Sequence, residues 1–268
     1  MLYWKTISTA LVAVIWLAGF AFSQSVAVAA EAERVRELEA MIDALANRSL
    51  KSPPQMFKSK SGDEERPLFN EPYDVDEQQR VRKTLLELNK HVGNDLWPLL
   101  ITHANDKRYA YTIEGDYYSK NTTVGSLCSE MAYMDLLLAY RKYLPDLDDL
   151  SHAQPERPYS RYPNLWPDKL LQGGFVKWAE QHPERAMYEA QIAVCEWAIK
   201  EAPSLKGVSD EKKAKFVADL TKQFTTLKET KQPVVETGRF KGESFTFVSA
   251  KYAENLRKRY ENMKKAKK

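Results

Sequence analysis

The residues whose types and spacing could do chemistry are three carboxylates, Glu114, Asp116 and Glu130, around an aromatic insertion that holds Tyr117 and Tyr118. A carboxylate pair hydrolyses glycosidic bonds when one member is held protonated and the other ionised. Burial decides that, and burial is not written in the sequence, so these acids stand as catalytic candidates beside their reading as solvated surface groups. Other catalytic signatures are missing: there is no Gly-x-Gly-x-x-Gly, phosphate loop, His-Glu-x-x-His, Cys-x-x-Cys or Gly-x-Ser-x-Gly. Val124-Gly125-Ser126-Leu127-Cys128 lacks the second glycine of a nucleophile elbow. His91, His103, His152 and His182 lie far apart, the first two near expected helix ends, where a cation complements the dipole. Pro145-Asp146-Leu147-Asp148-Asp149 begins like a calcium loop, but Leu150, Ser151 and Arg157 occupy the next ligand, glycine and closing-acid places. No metal and no cofactor is expected.

The aromatic residues point to binding instead. Nine of the tyrosines fall between Tyr109 and Tyr162, with Trp97 and Trp166 close by in sequence. Residues 157–166 (Arg-Pro-Tyr-Ser-Arg-Tyr-Pro-Asn-Leu-Trp) set aromatics beside arginine where proline forbids helix. Tyr159, Arg161, Tyr162 and Trp166 are therefore the ligand- or partner-binding candidates, because such side chains give large rigid contact area with a polar handle. The alternative is that the rings plug the core beneath a long loop. Cys128 and Cys195 form either a disulfide or two buried thiols.

Helices must position these groups. Apolar residues at three- and four-residue steps predict an amphipathic helix over 31–48 (Val35, Leu38, Ile42, Leu45) and further helices around Val81–Val92, after Pro98, over Thr123–Tyr143, Asp168–His182, Glu184–Ala202, Glu211–Glu229 and from Ser249 onward. Ser209 with Asp210 and Glu211 reads as an N-cap and acidic first turn. Arg108–Glu114 is read as a short strand or extended insertion, and Val234–Phe240 with Glu243–Val248 as a small hairpin near the C-terminus. Residues 51–73 show no apolar period and read as a flexible linker. The expected organisation is a leader over 1–30, an N-terminal helix over 31–50, that linker, and a single mainly α domain over 74–268, an irregular or repeat-like helical stack.

Composition narrows the class. With 10 Gly and 13 Pro in 268 residues, the chain is neither collagen-like nor a low-complexity polymer. Forty basic against 37 acidic residues is too even a balance for a dedicated nucleic-acid binder. A mean hydropathy of −0.55 excludes a polytopic membrane protein. Lys5, the apolar run Ile7–Phe22 and the small residues Ala27–Ala30 follow the order of a cleaved secretory signal, and the run is short for a membrane span. Export to the periplasm or the extracellular space is expected. The last 18 residues carry eight Lys or Arg against Glu254 and Glu261, a basic face that suits an anionic surface or simply the C-terminal end of a helix.

Residues 85–138 contain an apolar helix ending at His91-Val92-Gly93-Asn94, Pro98 opening a second helix, an Asp106-x-Arg108 turn, and a third helix restarting at Val124-Gly125. This pattern resembles a junction of HEAT-type helical repeats, with Tyr111–Thr122 interrupting it and no second copy in 168–268. The resemblance implies that Asp106 caps the turn, that Arg108 packs across the stack, and that a helical face recognises a partner. The expected role is an exported binding or scaffolding protein acting on a protein or envelope polymer. The alternative is a carbohydrate-active or other hydrolytic enzyme using the carboxylates above.

Overall fold

The computed structural model describes residues 29–50, 53–58, 65–68, 74–114, 119–143, 174–182, 185–205, 208–237 and 250–265. The chain divides into two compact units, Met1–Met41 and Ile42–Lys268. Helix α1 spans 29–43, and its residues up to Met41 are the described part of the first unit. The expected leader lies almost wholly outside the described residues. These residues contain no helix long and apolar enough to cross a membrane.

Among its described residues the second unit is mainly α, with two small antiparallel hairpins. Its elements are β1 (Gln55–Lys58), β2 (Glu65–Leu68), α2 (Val75–Leu88), α3 (Trp97–Thr102), β3 (Tyr109–Glu114), β4 (Ser119–Thr123), α4 (Val124–Arg141), α5 (Phe175–Glu180), α6 (Met187–Glu201), α7 (Asp210–Thr230) and α8 (Ala250–Lys265). Polar caps start the helices where the sequence places them. Asp74 accepts from the Glu77 amide, Ser209 from that of Lys212, and Thr123 exchanges a reciprocal pair with Ser126. Pro98 sits in the first turn of α3, where its missing N–H costs nothing.

Helix α4 is the hub. It packs on α3, α5, α6 and α7, and it buries residues around much of its circumference, from Leu127, Cys128 and Met131 to Leu136, Leu137 and Ala139. Helix α6 meets both α4 and α7 with Ala190, Val194, Cys195 and Ala198, small side chains that let the helices approach closely. Helix α7 is a surface helix that contributes Phe216, Leu220 and Leu227. Elsewhere, β2 lies against β4 and α8, and Leu50, Tyr109 and Ala253 form a second apolar cluster with Tyr252 packed on it.

Some expectations change. The helix over 31–48 ends at residue 43, where the Leu45 and Ala46 amides turn back to the Ile42 and Asp43 carbonyls; beyond that turn the Asn47 side-chain oxygen accepts from the amides of Ser49 and Leu50 and from the Ser49 hydroxyl. The expected linker 51–73 contains the β1–β2 hairpin, paired from Gln55↔Leu68 to Lys58↔Glu65, with Leu68 buried. Four-residue strands are too short to show apolar alternation. The short strand expected at Arg108–Glu114 is present as β3, which the insertion pairs with β4 in a hairpin whose register slips between Tyr109 and Thr112. Of the hairpin expected at 234–248, residues 234–237 lie outside any strand and 238–249 lie outside the described residues.

Candidate functional site

The aromatic segment 144–173, with Tyr159, Arg161, Tyr162 and Trp166, lies outside the described residues, but both of its stems are described. The first stem is the end of α4. Tyr143 donates its hydroxyl to Gln223 Oε1 of α7 at 2.8 Å, and the Lys142 ammonium stands 4.8 Å from the Tyr143 ring centre. One turn earlier, Tyr140 meets Trp197 of α6 edge to face, centroids 6.5 Å apart.

The second stem is α5 and the residues after it. Trp178 is buried, with His182 stacked on its ring at 5.2 Å and 15°, and the Arg185 guanidinium lies 5.5 Å from the same ring. His182 Nδ1 lies 3.0 Å from the Trp178 carbonyl oxygen. Trp97 of α3 donates its indole N–H to the Arg185 carbonyl at 3.1 Å, and Asn105 bonds Glu180. Both ends of the segment thus leave from side chains locked to three other helices. Sequence reading named Trp97 and, as one of four scattered histidines, His182, but missed Trp178 and Arg185. The signal was the four-residue step from Trp178 to His182 at the end of the expected helix Asp168–His182, although α5 itself ends at Glu180.

The catalytic candidates lie on different elements or outside the described residues. Glu130 is exposed on α4, Glu114 ends β3 opposite Ser119 in the hairpin register, and Asp116 lies outside the described residues. The two cysteines are free and buried. Cys195 lies against the carbonyl of Ala139, at 3.9 Å from Sγ, eleven positions along α4 from Cys128. That is about 16 Å of helix, more than twice the Cα separation a disulfide spans. Burial pushes each thiol up to about 12, so neither is a nucleophile at neutral pH. Among the described residues, no group of three or more His, Cys, Asp or Glu could hold a metal ion.

The remaining polar clusters hold the backbone in place. Asp106 accepts from the backbone N–H and guanidinium of Arg108, and Arg108 reaches Asp43 at 2.8 Å. Burial raises the Asp106 carboxyl, but the Arg108 hydrogen bonds and charge outweigh it and hold the pKa below the ordinary value. His103 Nδ1 stands 3.6 Å from the same carboxylate. The arrangement orients a turn, because Gly125 N donates to Asp106 O and Val124 N to Arg108 O, each at 2.9 Å.

A second cluster closes the C-terminal end of α1. Arg80 donates to the carbonyls of Ala44 and Ala46 while its fork holds Glu77, and Glu77 also accepts from the Arg48 amide. The Arg80 hydrogen bond, opposed by burial, keeps the Glu77 carboxyl below its ordinary range. Within β3–β4, Thr112 Oγ1 donates to Asn121, so the Tyr109 hydroxyl must donate to Thr112, and Asn121 in turn donates to Pro54 O. No protein-family model, curated protein or solved structure matches the chain.

Proposed function

We propose that the protein is an exported binding or scaffolding module, which presents the Tyr-, Trp- and Pro-rich segment 144–173 from a rigid helical base to a protein or envelope polymer. The anchoring of both stems carries this reading. Tyr143 is tied to α7, and the Trp178–His182–Arg185 stack to α3, so the cost of fixing the segment's ends is met before any partner arrives. Loops held at both ends by a packed scaffold are where recognition residues concentrate. The helical-repeat resemblance over 85–138 and the leader-like residues 1–30 agree with a secreted scaffold.

Within this reading Tyr159, Tyr162 and Trp166 supply contact area, and Arg161 the polar or cation–π component. The test replaces all four by alanine in the chain starting at Glu31. Tagged wild-type protein and the variant are compared in capture from a native envelope extract, with partners identified by mass spectrometry. The variant is expected to lose the captured partner while its circular dichroism and melting stay unchanged. Undiminished capture by the variant refutes the reading.

A further inference from the structure

We propose that Gln191 of α6 forms a seat for an extended peptide backbone, filled in cis by the strap at residues 231–237 and taken by a second segment of that kind when the strap lifts. Gln191 is fully buried, and its amide makes three bonds of 2.8 Å. One Nε2 hydrogen goes to the Asp135 carbonyl of α4, which fixes the plane of the amide. The other goes to the Val234 carbonyl, and Oε1 accepts the Val234 amide. Donor and acceptor of a single residue are thus both read, as a neighbouring β-strand would read them. This recognition is by backbone and tolerates many side chains.

The strap is lightly held. Only Pro233 and Val234 are half-buried; Lys231, Gln232, Val235, Glu236 and Thr237 are exposed, and Val235 is the one large exposed hydrophobic side chain among the described residues. Its entry is strained, since Lys231 caps α7 at φ 53°, the left-handed region that favours glycine. Few buried contacts and a strained hinge place the strap at the low-stability end of the fold, so it can open while α4 and α6 stay packed. The seat is distinct from segment 144–173 and stands or falls separately from the function proposed above.

The probe is a fluorescent peptide of the strap's own sequence, Lys-Gln-Pro-Val-Val-Glu-Thr, titrated by anisotropy against the full-length chain. Val234→Pro removes the amide that Gln191 accepts and should free the seat, so the peptide is expected to bind this variant at least tenfold more tightly than wild type. Adding Gln191→Ala should return binding to the wild-type level. If Val234→Pro does not fold, Pro233→Gly with Val234→Gly loosens the strap instead. Binding no tighter than wild type in a folded strap variant, or binding indifferent to Gln191→Ala, overturns the proposal. Hydrogen exchange on wild type gives an independent reading. The Val234 amide is expected to exchange faster than the interior amides of α4 and α6, and exchange only through global unfolding overturns the idea of a displaceable strap.

Discussion

Gly125→Ala separates two physical effects of opposite sign. Gly125 is the second residue of α4, and inside a helix alanine is ordinarily better than glycine by about 1 kcal/mol. Here an added Cβ would stand 2.6 Å from Asp106 N and 2.7 Å from both Ala104 O and Asp106 O. All three atoms are backbone, in a turn that cannot rotate away as a side chain could. The turn must lift from the start of α4, stretching the Gly125–Asp106 and Val124–Arg108 hydrogen bonds. Overpacking of this kind costs about 1–3 kcal/mol, and each weakened hydrogen bond about 1 kcal/mol. Set against the gain in helix propensity, a net loss of about 2–4 kcal/mol remains, or roughly 4–16 °C in melting temperature for a chain of this size. Urea unfolding followed by tryptophan fluorescence measures it, with Glu130→Ala on the exposed face of the same helix as a control expected to stay within about 0.5 kcal/mol. A Gly125→Ala protein as stable as wild type would refute the claim that the 104–106 turn is pressed onto α4.

Arg80→Ala should cost about 2–4 kcal/mol, because it strands the Ala44 and Ala46 carbonyls and leaves the buried Glu77 carboxylate without its cation. Since Glu77 titrates below its ordinary value of 4.5 in the fold, its contribution is complete above that pH and disappears as the pH falls through the lower, folded value. The stability gap between wild type and Arg80→Ala, read from urea midpoints, should therefore narrow only below about pH 4.5. Cys128 and Cys195 should not react with a thiol-specific disulfide reagent until the protein is unfolded. Their pKa values rise from 9.0 to about 12, so their stabilising effect is intact below pH 9 and lost toward pH 12. Cys128→Ala with Cys195→Ala should flatten the loss of stability between those limits, and an unchanged slope would place the alkaline transition on other groups.

Helix positions were legible in the sequence because the helices bury regular stripes and carry their own caps. The Ser209 cap and the acidic first turn of α7 were read to within a residue, and so was the Thr123 start of α4. What was not legible depends on residues distant in sequence. The β1–β2 hairpin occupies a stretch rich in Lys, Ser and Pro, and what buries Leu68 comes from elements far along the chain, with β2 lying against β4 and α8. The Asp106-x-Arg108 spacing was visible, yet the partner of Arg108, Asp43, lies 65 residues away. The same holds at the candidate site: the four-residue step from Trp178 to His182 is written in the sequence but went unread, and Trp97 joins them only through the carbonyl of Arg185.

The end of α1 shows why a charged, glutamate- and arginine-rich surface pattern can conceal structural residues. Three long-range polar ties converge within residues 43–47: Arg108 on Asp43, Arg80 on the Ala44 and Ala46 carbonyls, and Asn47 joined to the backbone of Tyr109 and Ala110. A helix leaves its last carbonyls unpaired, and here the Arg80 fork donates to the Ala44 and Ala46 carbonyls just past the helix end, while Arg108 pairs with the Asp43 carboxylate and Asn47 donates to the Tyr109 and Ala110 carbonyls. The ties come from α2 and from the start of β3, so they fix where the β3–β4 hairpin, and after it α4, begin. Helix α4 in turn carries the first stem of the aromatic segment at Tyr143 and packs on α6, which holds Gln191. Charge in this chain therefore sets the starting position of the hub helix, and apolar packing along that helix delivers the stem and the strap seat to their places.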